Sequence, residues 1–273
     1  YSGTLTASIA GDTFATQSIG SAIAVSGGAA VTSAGLVLTS VAAVTTIDSA
    51  YVQTNAGNDT IALGEGTSLT RMTASQLRAG QGNDFIGFGT RFRDTFATSS
   101  MDGNSYAANT IAGGKGNDTI FLEGDNNWSS NVIGAGAGND KVVLQSAHFV
   151  KGGSVKLGDG NDALTGQWGE IDASSIEGGA GNDTIQLTNI ESAVAGGDSL
   201  STTVLSTDGA DSITLDGTMS ASTIYGGGGN DTLTISAADI QDSANYINLG
   251  AGNDSITFSQ PSNSVVSAEI GMG

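Results

Sequence analysis

The residues best placed to do chemistry are a set of aspartates in glycine-rich triplets. Gly-Asn-Asp recurs along the chain and ends on Asp59, Asp84, Asp118, Asp140, Asp162, Asp183, Asp231 and Asp254. A further copy, Gly209-Ala210-Asp211, replaces Asn by Ala. Two residues before each Asp stands a glycine: Gly57, Gly82, Gly116, Gly138, Gly160, Gly181, Gly209, Gly229 and Gly252. One Asp in a glycine turn is only a turn residue. A set in register is different, because stacked turns would bring the carboxylates to within about 5 Å of one another. Like charges at that distance repel, so an uncompensated column opposes folding. A hard divalent cation between turns removes the conflict. Ca²⁺ accepts six to eight oxygens, backbone carbonyls included, whereas Mg²⁺ asks for a tighter octahedron. Transition metals favour nitrogen or sulfur ligands, and the chain has one histidine, His148, and no cysteine.

The elements that must hold these turns are legible in the flanking residues. Successive motif aspartates lie 25, 34, 22, 22, 21, 28, 20 and 23 residues apart, which is one solenoid turn each. Two residues after Asp the side chain is always aliphatic: Ile61, Ile86, Ile120, Val142, Leu164, Ile185, Ile213, Leu233 and Ile256. Four after, it is apolar except at Gly166. Seven before, it is again aliphatic: Val52, Leu77, Ile111, Ile133, Val155, Ile176, Val204, Ile224 and Ile247. Apolar residues two apart predict a strand with one buried face. Each repeat therefore reads as strand, tight glycine turn, strand and variable return. The returns hold the length variation, including a loop at Gly89-Thr90-Arg91-Phe92-Arg93-Asp94 and the stretch Glu191 to Leu200. The two long intervals are the places where register would break or a coil widen. The fold class is all-β: a right-handed parallel β-helix, a β-roll-like solenoid with one column of calcium-binding Gly/Asp turns.

Composition narrows the field of partners. The 273 residues include 42 Gly and one Pro, which excludes collagen and polyproline linkers. A formal net charge of -19 argues against nucleic acid and anionic lipid surfaces. Hydrophobic residues make up 38%, too many for an acidic disordered tail. No apolar run is long enough to insert into a membrane. The start at Tyr1 and the end on Gly271-Met272-Gly273 read as a processed chain or a segment of something larger.

The motif resembles the RTX (hemolysin-type) calcium-binding repeat, whose nonapeptide is Gly-Gly-x-Gly-x-Asp-x-apolar-x. The best matches are Gly113-Gly114-Lys115-Gly116-Asn117-Asp118-Thr119-Ile120, Gly178-Gly179-Ala180-Gly181-Asn182-Asp183-Thr184-Ile185 and Gly226-Gly227-Gly228-Gly229-Asn230-Asp231-Thr232-Leu233. The resemblance covers about residues 51 to 258. It implies that motif Asp side chains and turn carbonyls of adjacent coils share each Ca²⁺ ion. The familiar RTX array has calcium turns on both edges of a coil; here the longer period implies a single column on one edge, with up to about eight ions. Eight would bring about +16 against the -19 of the chain. Residues 1-50 read as metal-free N-terminal coils, with Leu5, Asp12 and Phe14 as a degenerate copy. Residues 51-258 form the calcium-binding solenoid, and 259-273 a terminal coil or contact arm.

Other constellations are weak. His148 has no defined catalytic partner, so it reads as a surface residue. Trp128 and Trp168 lie in returns and read as packing or subunit contacts. Glu170 and Asp172 imitate a glycosidase pair, but such pairs are expected in a chain this acidic. Arg71, Arg78, Arg91 and Arg93 form a cationic patch that could meet an acidic neighbour or an anionic polysaccharide. Outward positions beside the motif (Thr60, Thr119, Thr184, Ser212, Thr232 and Ser255) form a bland ladder. The leading expectation is a non-enzymatic, calcium-dependent extracellular structural protein of a bacterial surface layer (S-layer), fibre or matrix. It would be secreted unfolded by type I secretion, fold and assemble with other copies in calcium, and bind cell-surface polysaccharide. The alternative is the RTX repeat module of a type I secreted enzyme or toxin whose catalytic domain lies outside this chain.

Overall fold

The computed structural model describes residues 8–9, 12–13, 46–48, 51–53, 57–58, 60–63, 71–88, 105–124, 128–146, 150–167, 171–190, 201–217, 222–236, 245–258 and 268–271. Apart from 8–9 and 12–13 these form a parallel β-solenoid, with no helix among the described residues. Each coil sends an incoming strand into the glycine turn and an outgoing strand away from it. The coil around Asp118 shows the pattern, with Thr110–Lys115 before the turn and Thr119–Gly124 after it. Outgoing strands stack into a nine-stranded sheet from Thr60–Leu63 to Ser255–Phe258. Incoming strands stack in a second sheet, which has 15 strands counting a row of short strands joined to it.

The aliphatic positions pair in register from coil to coil. Leu77, Ile111, Ile133, Val155 and Ile176 stand opposite one another in sequence. Ile86, Ile120, Val142, Leu164 and Ile185 do the same in the other sheet. Both columns are buried and face a core one side chain deep on each side. Burial of each such side chain contributes about 1.5–3 kcal/mol, and only stacking hides it. The long intervals keep register: Ile86 pairs with Ile120 and Ile185 with Ile213. The loop at 89–94 and the stretch 191–200 lie outside the described residues.

Two features go beyond the sequence-based expectation. First, the early coils have a third short strand before the incoming one, at Arg71–Thr73, Ser105–Ala107, Trp128–Ser129 and Val150–Lys151. A corner residue with positive φ separates the two strands: Ala74, Ala108, Ser130 and Gly152. The strand Ile171–Ala180 then runs through both positions. Second, Ser8–Ile9 pairs antiparallel with Asp12–Thr13; Leu5 and Phe14, expected with Asp12 as a degenerate copy, lie outside the described residues. Thr46–Asp48 does join the solenoid, parallel to Arg71–Thr73. Near the other end Ala268–Gly271 adds a parallel strand beside Asn245–Asn248.

Candidate metal centre

The turn geometry follows from its glycines. All nine glycines two before Asp have φ between 117° and 150°, a region other residues avoid. A Cβ on Gly116 would also run into the carbonyl oxygen of Gly82 in the coil before. Close stacking of the turns therefore requires glycine twice over. In the coil around Asp118, the chain leaves the turn with the Asp side chain on the same inward face as Ile120 and Leu122. Asp84, Asp118, Asp140, Asp162, Asp183, Asp211 and Asp231 are all at most 3% exposed.

Each carboxylate has one oxygen in a backbone ladder. Asp118 Oδ1 accepts the Asp84 N–H at 2.8 Å, and Asp140 Oδ1 accepts the Asp118 N–H at 2.7 Å. The ladder continues through Asp162, Asp183, Asp211, Asp231 and Asp254 at 2.7–3.0 Å. The motif asparagines form a parallel, solvent-exposed ladder in the opposite sense: Asn117 N–H donates to Asn83 Oδ1, and Asn139 N–H to Asn117 Oδ1, both at 2.8 Å. The structure thus brings eight of the nine expected aspartates, Asp84 to Asp254, into one column. Asp59 lies outside the described residues. Its neighbours Gly57 and Asn58 stack on the next turn, with Asn58 Oδ1 accepting the Asn83 N–H at 2.9 Å.

The second carboxylate oxygen is the unusual atom. Oδ2 of Asp84, Asp118, Asp140, Asp162, Asp183, Asp211, Asp231 and Asp254 is buried and has no hydrogen-bond donor. Burial without a partner penalises the charge. It pushes Asp118 and Asp183 up to about 7 and Asp140 to about 6, against the opposing backbone hydrogen bond; neighbouring carboxylates add to the rise. Asp162, Asp211 and Asp231 shift upward for the same first cause. Where the residue five before Asp is glycine, Oδ2 occupies the space a side chain would fill, as beside Gly113, Gly178 and Gly226. Elsewhere that inward position holds Ala79, Ala135, Leu157, Ser206 or Leu249.

These atoms fit a hard cation. The donors are carboxylate and carbonyl oxygens, with no histidine or cysteine in the Gly-Asn-Asp turns. Among the described residues no three acidic or imidazole side chains gather at one point. An ion would therefore rely on one carboxylate per coil together with turn carbonyls, as Ca²⁺ does in flexible oxygen sites. Such an ion supplies the positive charge that the orphaned Oδ2 atoms lack.

Sequence reasoning missed the opposite corner. Nine before Asp, in six of the coils, a small polar residue is buried: Ser75, Asn109, Asn131, Ser174, Ser222 and Asn245. Asn109 Oδ1 accepts the Ser75 N–H, Asn131 Oδ1 the Asn109 N–H, and Asn245 Oδ1 the Ser222 N–H, at 2.9–3.0 Å. The signal was present as Ala-Ser, Ala-Asn or Ser-Asn at a fixed offset from the motif. Of the weaker candidates, His148, Trp168, Glu170, Arg91 and Arg93 lie outside the described residues. Trp128 pairs in the short-strand row with Tyr106 and Val150.

Comparison with known proteins agrees with this geometry. The family model of the RTX calcium-binding nonapeptide repeat, four copies long, matches residues 51–68, 105–142, 168–187, 206–234 and 241–258. The matched stretches leave out the turns at Asp84 and Asp162, which the structure nevertheless builds into the same ladder. Neither the curated proteins nor the solved structures contain a match to the chain. With the repeat matched in five stretches and the solenoid coiled around it, the chain carries RTX-type calcium-binding repeats.

Proposed function

We propose that the chain is a calcium-dependent structural protein, with no catalytic role of its own, that folds and self-assembles outside the cell in a surface layer, fibre or matrix. The observation that carries the reading is the column of buried carboxylates with one unsatisfied oxygen each. Asp59, Asp84, Asp118, Asp140, Asp162, Asp183, Asp211, Asp231 and Asp254 hold the ions, with carbonyls of the glycine turns. Without cations the column repels itself, and with them each coil is cross-linked to the next. Extracellular calcium-binding modules operate at about 10⁻⁴–10⁻³ M, so folding is coupled to leaving the cell. Self-assembly is supported by the end of the stack. Among the described residues the nine-stranded sheet finishes on Ser255–Phe258, where Ile256 is only partly buried and Phe258 is 43% exposed.

The test is electron microscopy and circular dichroism of the protein in millimolar calcium and in chelator. Ordered sheets or filaments that disappear with calcium, together with the β signal, are expected. Monodisperse particles in calcium would overturn the assembly claim and favour a module of a secreted enzyme or toxin. A β signal unchanged by chelator would overturn calcium-coupled folding.

A further inference from the structure

Among the described residues one turn lacks the glycine four before Asp. It reads Ser206-Thr207-Asp208-Gly209-Ala210-Asp211, where the coil before reads Gly178-Gly179-Ala180-Gly181-Asn182-Asp183. Thr207 takes the place of a glycine that has positive φ in both adjacent coils, 101° at Gly179 and 105° at Gly227. A Cβ on Gly179 would collide with the Gly158 carbonyl of its preceding coil. Thr207 avoids that conformation, since it is not among the positive-φ residues. Its hydroxyl instead donates to the Gly179 carbonyl oxygen at 2.7 Å.

Ser206 makes a second change of the same kind. Its Oγ is buried and faces the Asp211 carboxylate, which it helps to keep ionised, with no other hydrogen-bond partner, and the residue is 3% exposed. A Cβ built on Gly178 would lie 2.6 Å from Asp183 Oδ2 and 2.8 Å from Ser206 Oγ. The orphaned Asp183 oxygen and the Ser206 hydroxyl therefore border the same small space. Ala210 adds a third change: its N–H still donates to Asn182 Oδ1, but it offers no side-chain oxygen to the next coil.

The strands beside this turn keep register, but both sheets are irregular at their far ends between the same two coils. Pairing shifts between Asp172 and Ser174 in one sheet and between Leu187 and Ile190 in the other. The parallel pairs on either side of it run without a shift. A cation binds oxygen lone pairs that no hydrogen bond occupies, and a hydroxyl that donates to a carbonyl or carboxylate occupies one of them. Thr207 already satisfies one carbonyl, and Ser206 brings a proton to the edge of one carboxylate. Each such bond withdraws a lone pair from an ion that seeks six to eight oxygens, which weakens the site.

We propose that the gap between the Asp183 and Asp211 turns is a calcium-free joint closed by the Ser206 and Thr207 hydroxyls. It divides the column into two calcium-loaded blocks, Asp84 to Asp183 and Asp211 to Asp254. The joint rests on the reading of the column as calcium sites. Native mass spectrometry of the full chain in calcium, beside a Ser206→Gly/Thr207→Gly variant, tests it. The variant is expected to hold one more ion than the parent. Equal counts, or fewer in the variant, with ions on the parent would overturn the joint alone. No ions on the parent would overturn the calcium column and the joint with it. A lanthanide anomalous map of the unaltered protein gives a readout independent of the variant. Peaks are expected in the Asp118–Asp140 gap and none between Asp183 and Asp211; a peak there overturns the joint.

Discussion

Between the coils of Asp118 and Asp140, the corner and the turn use the same hydrogen bond. At the corner, Asn131 Oδ1 accepts the Asn109 N–H at 3.0 Å. At the turn, Asp140 Oδ1 accepts the Asp118 N–H at 2.7 Å. Both side chains are buried, and both join one coil to the next. The difference is the other terminal atom. Asn131 carries an amide nitrogen and no charge. Asp140 carries a second oxygen, with a charge and no donor. An asparagine would serve the backbone ladder equally well, so the ladder does not explain the aspartate. The extra charge is what a cation would use.

The comparison can be broken first at the glycines, where the expected effect is largest. Gly116→Ala places a Cβ against the Gly82 carbonyl at a φ of 117°. It should cost at least about 2 kcal/mol of stability in calcium, measured by denaturant unfolding. Gly134 is the control: it has no heavy atom within 4 Å of its would-be Cβ, and Gly134→Ala should be close to neutral. Equal losses at the two positions would refute the stacking argument.

Moving the charge to the corner comes next. Asn131→Asp keeps an oxygen for the Asn109 N–H but places a carboxylate in the neutral ladder. A loss of about 1–3 kcal/mol is expected, and calcium titration should not recover it. Recovery at the same calcium concentration as the parent would show that the turn has no special fitness for the ion.

A smaller effect is expected from pH. In the folded, metal-free chain Asp118 and Asp183 hold their protons to about 7 and Asp140 to about 6, chiefly through burial. In the unfolded chain these groups titrate near 3.8. Between those values the folded state binds more protons, so metal-free stability falls as pH rises from about 4 to 7. Thermal melts in chelator should show higher stability at pH 5 than at pH 7.5. Calcium affinity should run the other way, weakening as pH drops below 7, because protons compete for the same oxygens. Metal-free melts that rise with pH across this range would contradict the burial of the carboxylates.

Much of this arrangement was legible in the sequence because a solenoid writes its register into its repeats. The aliphatic residues at fixed offsets from Asp, such as Ile111 and Ile120, located both strands and the core. The Asp118 and Gly116 positions located the turn. The corner was not read, because Ala108 and Asn109 carry no chemistry that stands out without their stacked neighbours. The hydrogen bond to Asp Oδ1 was not read either: it joins residues in different coils, and composition does not show which oxygen is left over. The third strand at Ser105–Ala107 belongs to a return of variable length, where no periodicity points to it.

The central claim is that the column needs its charge for a cation and not for its backbone bonds. Asp140→Asn tests it most directly, because it keeps the Oδ1 acceptor and removes only the charge. Stability of the variant and the parent should be measured at pH 7.5 in chelator and in millimolar calcium. The account predicts a reversal: the variant is the more stable by about 1–3 kcal/mol without calcium, and the less stable with it. A variant that is less stable in both conditions, or more stable in both, would contradict the account.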